Sequence, residues 1–311
     1  SARMEAKSRH RVVKVAVAQM TSSSDAEANF KVVESFCKES QSEGVQLLCL
    51  PECFAFLGLG AQESIVFSQK LDGPLMSRYC TLAKTYALYI SFGGFQENIT
   101  DKKVCNAHVI VSPEGTIVDV YRKIHLFDVD VPNGMKFKES SFTQPGDKVV
   151  LSETPVGKLG VTVCYDLRFP ELYGVLRRMG AEILLIPAAF TLKTGIAHWS
   201  VLLRARAIET QCFVLAAAQV GKHNVQRYRN ETTKPPRESY GDACIIDPWG
   251  TVIARATVGK PGLVIAKLDL GLLSSIRTSM PTASHRRPDV YYAANSDKGR
   301  ARDGAAQKAT L

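Results

Sequence analysis

The sequence predicts an α/β protein, a four-layer αββα sandwich built from two internally repeated halves, on three observations. First, the chain repeats itself: Gln46-Leu-Leu-Cys-Leu-Pro51 returns as Glu182-Ile-Leu-Leu-Ile-Pro187, and the turn in Val109-Ile-Val-Ser-Pro-Glu-Gly-Thr116 returns in Cys244-Ile-Ile-Asp-Pro-Trp-Gly-Thr251. Pro51 and Pro187 stand 136 residues apart, Pro113 and Pro248 stand 135 apart, and self-similarity at a fixed offset marks a repeated unit. Second, short apolar runs alternate with helical patterns, which implies crossover connections between parallel strands, while the two turns add antiparallel hairpins. Third, helices following strands in this way cover one face of each sheet, so the two bare apolar faces must cover each other.

In chain order, Val12 to Gln19 alternates as a strand, and Ser24-Asp-Ala-Glu27 has the spacing of a capping box. Ala26, Phe30, Val33 and Cys37 then form one helical face. Gln46 to Pro51 is a buried strand that ends in proline, and after a Gly-rich connection Gly73-Pro74 opens a helix with Leu75, Tyr79, Leu82 and Tyr86 on one face. Tyr89 to Gly93 is the next strand, and a hairpin through Pro113 and Gly115 leads into Ile117 to Tyr121. The second half supplies strand Lys158 to Val163, helix Phe169 to Met179 capped by Gly180, strand Glu182 to Pro187, helix His198 to Thr210 and strand Phe213 to Ala218, then its own hairpin. Residues 1–11 read as an N-terminal arm, 12–293 as one folded domain, and 294–311, rich in Gly, Ala, Lys, Arg and Asp, as a disordered tail.

Composition excludes several classes. With 311 residues and 45% hydrophobic content the chain can bury a large core. No apolar run approaches the roughly 18 residues needed to span a bilayer, and Ser1-Ala-Arg-Met-Glu5 lacks the apolar centre of a secretory signal. The eight cysteines lack paired Cys-x-x-Cys spacing and stand mostly in apolar runs, so neither zinc nor a disulfide framework is suggested, and a reducing compartment fits. The net charge of +9 is concentrated in residues 1–14, 222–238 and 286–308, leaving a nearly neutral body with no organised basic stripe. No nucleic-acid partner is therefore expected.

The halves differ at polar positions, and those positions carry the chemistry. Cys164 follows the apolar run Val161 to Val163 and precedes the helix opening at Phe169-Pro170, where backbone N–H groups and the helix dipole favour thiolate. Most cysteines at such places are inert core residues, so position alone leaves its role open. Glu52 stands at the end of the proline-terminated strand where the second half has Ala188. Ligand sites of α/β proteins collect at the C-terminal ends of strands, so Glu52 and Cys164 can share a pocket. Lys123 lies just beyond the first hairpin, a place where a lysine is ordinarily a solvated edge residue.

Three segments, LCLPECF around Glu52, YRKIHLFDVDVP around Lys123 and VTVCYDLRFPELY around Cys164, occur in this order. In them the chain resembles the carbon-nitrogen hydrolase (nitrilase) superfamily over roughly residues 12–292. The resemblance implies the αββα fold, a Glu52–Lys123–Cys164 triad, and a second glutamate, Glu139, in Phe137-Lys-Glu-Ser-Ser141 that orients Lys123. It also implies amide hydrolysis through a Cys164 thioester, with Glu52 as base and with Lys123 and the Tyr165 N–H stabilising the oxyanion. No metal or organic cofactor is required. His125, His198 and His223 lack metal-ligand spacing and are expected in hydrogen-bonding roles.

CYDLRFPELY, Phe190-Thr-Leu-Lys-Thr-Gly195 and LLRARAIETQCFVLAAAQ look most like the superfamily's Nit branch. That likeness implies a carboxylate-bearing 2-oxo-glutaramyl substrate, deaminated glutathione first and 2-oxoglutaramate as the alternative, with Arg168, Tyr165, Phe190 and Thr194 as substrate-binding residues. Arg168 can hold a substrate carboxylate or pair with Glu171, and the sequence leaves both open. Residues 222–238 are longer and more basic than this connection usually is in the branch, and are expected to border the pocket, where their basic groups and Arg168 suit a substrate bearing two carboxylates. Leu172, Leu176, Trp199 and Leu203 on the helices Phe169 to Met179 and His198 to Thr210 read as apolar outer surface. The resemblance further implies a homodimer through this outer helical layer, and an enzyme of the cytoplasm, with a mitochondrial form if residues 1–14 act as targeting sequence. An inactive scaffold would be expected to lack one of Glu52, Lys123 and Cys164, and all three are present.

Overall fold

The computed structural model describes residues 11–130 and 136–291. The arm expected over residues 1–11, Arg11 apart, and the tail expected over 294–311 lie outside them.

The first half runs β1 (Val12–Met20), α1 (Ala26–Ser42), β2 (Leu47–Leu50), α2 (Ala61–Phe67), α3 (Pro74–Tyr86), β3 (Tyr89–Thr100), β4 (Lys103–Val111) and β5 (Ile117–Arg122). A short hairpin, β6 (Asp128–Asp130) and β7 (Lys136–Lys138), and an edge strand β8 (Val150–Thr154) lead into the second half. That half runs β9 (Gly157–Val161), α4 (Pro170–Met179), β10 (Ile183–Leu185), α5 (Leu192–Thr210), β11 (Phe213–Ala216), β12 (Ala218–Lys222), α6 (Val225–Glu231), β13 (Glu238–Tyr240), β14 (Cys244–Ile246) and β15 (Val252–Arg255). Strand β16 (Gly262–Asp269) and α7 (Leu270–Ser279) follow.

The repeat is visible in the topology. In the first sheet β1, β2 and β3 are parallel and β4 and β5 continue antiparallel; in the second, β9, β10 and β11 are parallel and β14 and β15 continue antiparallel. The two hairpin turns close with the same bonds. Ser112 N–H donates to Thr116 O and Gly115 N–H to Ser112 O, while Asp247 N–H donates to Thr251 O and Gly250 N–H to Asp247 O, all at 2.9 Å. After β11 the chain leaves the second sheet: β12 pairs with the end of β1, and β13 pairs with β12. Residues 218–240 therefore cross to the first sheet, beside the end of β1.

Strand β1 shows why four layers form. Val13, Val15 and Val17 pack into the cluster holding Leu159, Val161, Leu184 and Leu215 of the second sheet, while Ala16, Ala18 and Met20 pack against Phe30, Val33, Leu75 and Tyr79 of α1 and α3. A period of two along the strand thus divides its side chains between the inter-sheet layer and the outer helices. The halves meet most closely at Gly93, where an added Cβ would lie 2.2 Å from Cβ of Pro187 and 2.6 Å from the Leu50 carbonyl oxygen. Only a residue without a side chain fits there.

Three sequence expectations change. The N-cap of α1 is Asp25 rather than Ser24, because the Asp25 carboxylate accepts from the N–H groups of Glu27 and Ala28 at 3.0 and 2.9 Å. Helix α5 begins at Leu192, six residues before His198. Leu172, Leu176, Trp199 and Leu203 are buried inside the chain and form no outer surface. The exposed large apolar side chains of that layer are Leu192, Ile196, Val201 and Ile208 on α5 and Met179 at the end of α4, with Trp249 in the second hairpin turn.

Candidate active site

Glu52 follows β2, Lys123 follows β5 and Cys164 follows β9, so three strand ends deliver the three side chains. They converge. The Lys123 ammonium lies 3.2 Å from Glu52 Oε1 and 3.2 and 3.0 Å from the two oxygens of Glu139, and the Cys164 thiol lies near enough to the Glu52 carboxylate for each to shift the other's proton affinity. Lys123 is only 2% exposed, so the reading of a strand-edge lysine in solvent does not hold.

The surrounding chain fixes each group. Asn106 Nδ2 donates to Glu52 Oε1 at 2.9 Å, and the Ala189 N–H donates to Oε2 at 3.1 Å. Ala189 belongs to the second half, so the first half's carboxylate is held by the other half's backbone. Gly94, at φ +69°, gives Glu52 room: a Cβ there would come within 2.8 Å of Glu52 Cγ and 2.9 Å of Asn106 Oδ1. Glu139 accepts from the Phe127 N–H at 2.6 Å, which ties the segment after Lys123 to the carboxylate that faces it.

Cys164 adopts φ +47°, costly for a residue with a side chain, and its N–H donates to Pro187 O at 2.8 Å. Asp166 holds this turn. Fully buried, it accepts from Val163 N–H at 2.8 Å, Tyr121 Oη at 2.7 Å, His125 N–H at 3.2 Å and His125 Nδ1 at 2.8 Å. It thereby joins the nucleophile's turn to the Lys123 segment. His125 stacks on Phe169 with ring centroids 3.7 Å apart. His198 Nδ1 meets Arg168 Nη1 at 3.2 Å, and His223 bonds the Ser22 carbonyl and the Ser239 hydroxyl. Among the described residues no cluster of His, Cys, Asp and Glu is placed to hold a metal ion.

The electrostatics revise one expectation. A short 3₁₀ turn, Cys164–Arg168, separates the nucleophile from α4. Burial, and then the Glu52 charge, push the Cys164 thiol well above its usual 9.0, so the resting side chain is a thiol and not a thiolate. Burial also works to raise the Glu52 carboxyl, but the Lys123 ammonium, followed by Cys164, Arg237 and Asn106, holds it below its ordinary 4.5. Burial works against the Lys123 charge, and Glu139 and then Glu52 more than reverse this, raising its pKa well above 10.5. The resting constellation is a carboxylate, an ammonium and, beside the carboxylate, a thiol.

Of the four expected substrate-binding residues, three converge. The Arg168 guanidinium carbon lies 5.4 Å from the Phe190 ring centroid and 5.8 Å from that of Tyr165, and Arg168 meets His198 rather than Glu171. Thr194 sits in the first turn of α5, where its hydroxyl bonds the Thr191 carbonyl and hydroxyl. Sequence reasoning passed over Asn106, Asp166 and Ala189, and named the basic segment 222–238 without singling out Arg237. Asn106 is a polar residue in the apolar run Val104 to Val111, and Asp166 is an acid two residues after the nucleophile. Both signals were readable; a backbone N–H such as that of Ala189 leaves none.

Fold and site together define a hydrolase of carbon–nitrogen bonds. The carbon-nitrogen hydrolase family model matches residues 14–278, and the chain belongs to that family. Among curated relatives, deaminated glutathione amidase of Homo sapiens is 45% identical over 282 residues, covering 89% of this chain and 83% of that protein. The Mus musculus protein of the same name is 44% identical, covering 89% and 84%. Among solved structures, the C. elegans NitFhit protein matches with a TM-score of 0.82 at 38% identity, over 90% of this chain and 66% of that one. A Saccharomyces cerevisiae member of branch 10 of the nitrilase superfamily matches at 0.75 and 30%, over 87% and 95%. The chain is an amidase of the nitrilase superfamily.

The raised Cys164 pKa has a direct optical test. Because the shift is upward, the thiol stays protonated below its ordinary value, and the ultraviolet thiolate difference between the protein and Cys164→Ser should stay flat from about pH 6 to pH 9. A thiolate step near neutrality would contradict the resting state described.

Proposed function

We propose that this amidase hydrolyses deaminated glutathione to 2-oxoglutarate and cysteinylglycine through a Cys164 thioester. The observation that carries the reading is the buried Glu52–Lys123–Glu139 cluster beside the Cys164 thiol, taken with relatives of that name across most of the chain.

Glu52 takes the thiol proton as Cys164 Sγ attacks the amide carbon, so charge moves to the carbonyl oxygen. The Lys123 ammonium and the Tyr165 N–H stabilise that oxyanion, and Glu139 fixes Lys123 by its paired contacts. Protonated Glu52 then gives its proton to the leaving nitrogen. The C–N bond breaks, cysteinylglycine departs, and a thioester remains. Glu52 next accepts a proton from water, hydroxide attacks the thioester, and the departing Cys164 sulfur recovers the proton from Glu52.

On this reading Arg168 holds a carboxylate of the substrate, with Tyr165 and Phe190 flanking it and Thr194 completing the pocket wall. The 2-oxoglutaramate reading differs only in the leaving group. We further propose a homodimer that covers Ile196, Val201 and Ile208 of α5 together with Met179 and Trp249, in the cytoplasm or mitochondrion. No helix among the described residues is long and apolar enough to cross a membrane.

Comparing kcat/KM for deaminated glutathione, 2-oxoglutaramate and an aliphatic nitrile tests the substrate. Deaminated glutathione should be best, and Arg168→Ala should lose about 1.5–3 kcal/mol of transition-state stabilisation on it, with a neutral amide scarcely affected. A wild type that prefers 2-oxoglutaramate or the nitrile would overturn the substrate. Light scattering should give a dimer at micromolar concentration, and a monomer would refute the assembly.

A further inference from the structure

The basic connection 222–238 is fastened to the rest of the chain by several contacts. Arg227 pairs bidentately with Glu63 of α2 at 2.9 and 2.7 Å and also reaches Glu231. Asn224 accepts from the Ser24 N–H at 2.8 Å and donates to Leu57 O at 2.7 Å. At its far end Ser239 bridges to Thr191, and the Tyr240 N–H donates to Phe190 O at 3.0 Å. The connection therefore ends against the Ala189–Phe190 segment, which already carries Glu52 on one residue and Arg168 on the next.

Arg237 sits at that junction. It is half-buried, its carbonyl accepts from the His223 N–H at 2.9 Å, and its one side-chain hydrogen bond among the described residues is Nη2 to Ala189 O at 3.4 Å. Unlike Arg227, it meets no carboxylate within salt-bridge distance among the described residues. A guanidinium carries five N–H donors, and leaving most of them unmatched in a partly desolvated place is unfavourable unless an anion completes it. Its charge is felt at Glu52, Cys53 and His223, which places it on the Glu52 side of the site.

We propose that Arg237 is a specificity-determining residue that binds the terminal carboxylate of the substrate's leaving group. The assignment rests on the deaminated glutathione reading and divides its two carboxylates between two arginines. The leaving nitrogen must receive a proton from Glu52, so the leaving group extends on the Glu52 side, where Arg237 stands on the residue that holds Glu52 Oε2. The acyl side, with its 2-oxo acid, falls to Arg168 over Phe190 and Tyr165. A two-residue leaving group spans about 7 Å when extended, so its terminal carboxylate lies beyond the reacting atoms, where a residue of the connection rather than of the triad must meet it.

The test compares deaminated glutathione with its C-terminal glycinamide, which differs only in lacking that carboxylate, on the wild type, Arg237→Ala, Arg237→Lys and Arg168→Ala. Wild-type kcat/KM should favour the acid. Arg237→Ala should lower it about 10- to 100-fold on the acid and less than about threefold on the amide, with Arg237→Lys recovering part of the loss. Arg168→Ala should lower both substrates alike. An equal loss on acid and amide in Arg237→Ala, or a wild type indifferent to the terminal carboxylate, overturns the role of Arg237 while leaving the substrate reading intact. A wild type that turns over neither compound but hydrolyses 2-oxoglutaramate overturns both.

Discussion

The site depends on one buried ammonium. Lys123 is enclosed between Glu52 and Glu139, with oxygens of both carboxylates within 3.2 Å and all three side chains almost fully buried. Removing such charges from water costs several kcal/mol per ion, which only close mutual contact and further hydrogen bonds can offset. The structure supplies both. Glu52 has Asn106 and the Ala189 N–H, and Glu139 has the Phe127 N–H. Loss of any one charge would strand the others, so the cluster constrains the ends of β2 and β5 as well as the chemistry. Burial, and then the Glu52 charge, keep the nearby thiol protonated while an ionised carboxylate waits beside it as base.

The repeated architecture delivers this cluster, and its broken symmetry gives it function. Pro51 and Pro187 end equivalent strands, yet the first is followed by Glu52 and the second by Ala188 and Ala189, whose backbone receives the glutamate. Close approach of the halves is what makes the reach possible, and Gly93 against Pro187 sets that distance. The strained Cys164 is held from both sides: its N–H by Pro187 O, its turn by Asp166 with ligands from β5 and the Lys123 segment. Cys164, Glu52 and Lys123 are thus positioned by strand ends.

Much of this was legible in the sequence, for definite reasons. Recurring proline-terminated strands and Pro-x-Gly turns fixed the two halves, because such punctuation survives without tertiary information. Glu52, Lys123 and Cys164 stood out by their three segments, Glu139 by the family likeness of Phe137-Lys-Glu-Ser-Ser141, and Arg168, Tyr165 and Phe190 by the branch wording around them. What escaped was set by three-dimensional closure. The thiol state of Cys164 follows from burial and from Glu52, 112 positions earlier in the chain, whereas its local position argued for thiolate. Leu172, Leu176, Trp199 and Leu203 read as a surface stripe only because the depth of the core beneath α4 and α5 is invisible to periodicity. Asp25 displaced Ser24 as the cap through a one-residue difference in where the helix begins, and Arg237 was one basic residue among five in its segment until the chain's return to Ala189 singled it out.

The central claim is that Lys123 keeps Glu52 ionised, ready to take the Cys164 proton. The most direct measurement is the infrared difference spectrum between the wild type and Glu52→Gln, followed from neutral pH down to about pH 4.5. The account predicts loss of a carboxylate band with no protonated-carboxyl band across that range, because the Glu52 pKa is shifted downward from 4.5. A protonated-carboxyl band assigned to Glu52 at neutral pH would contradict it, since a neutral carboxyl there could not serve as the base.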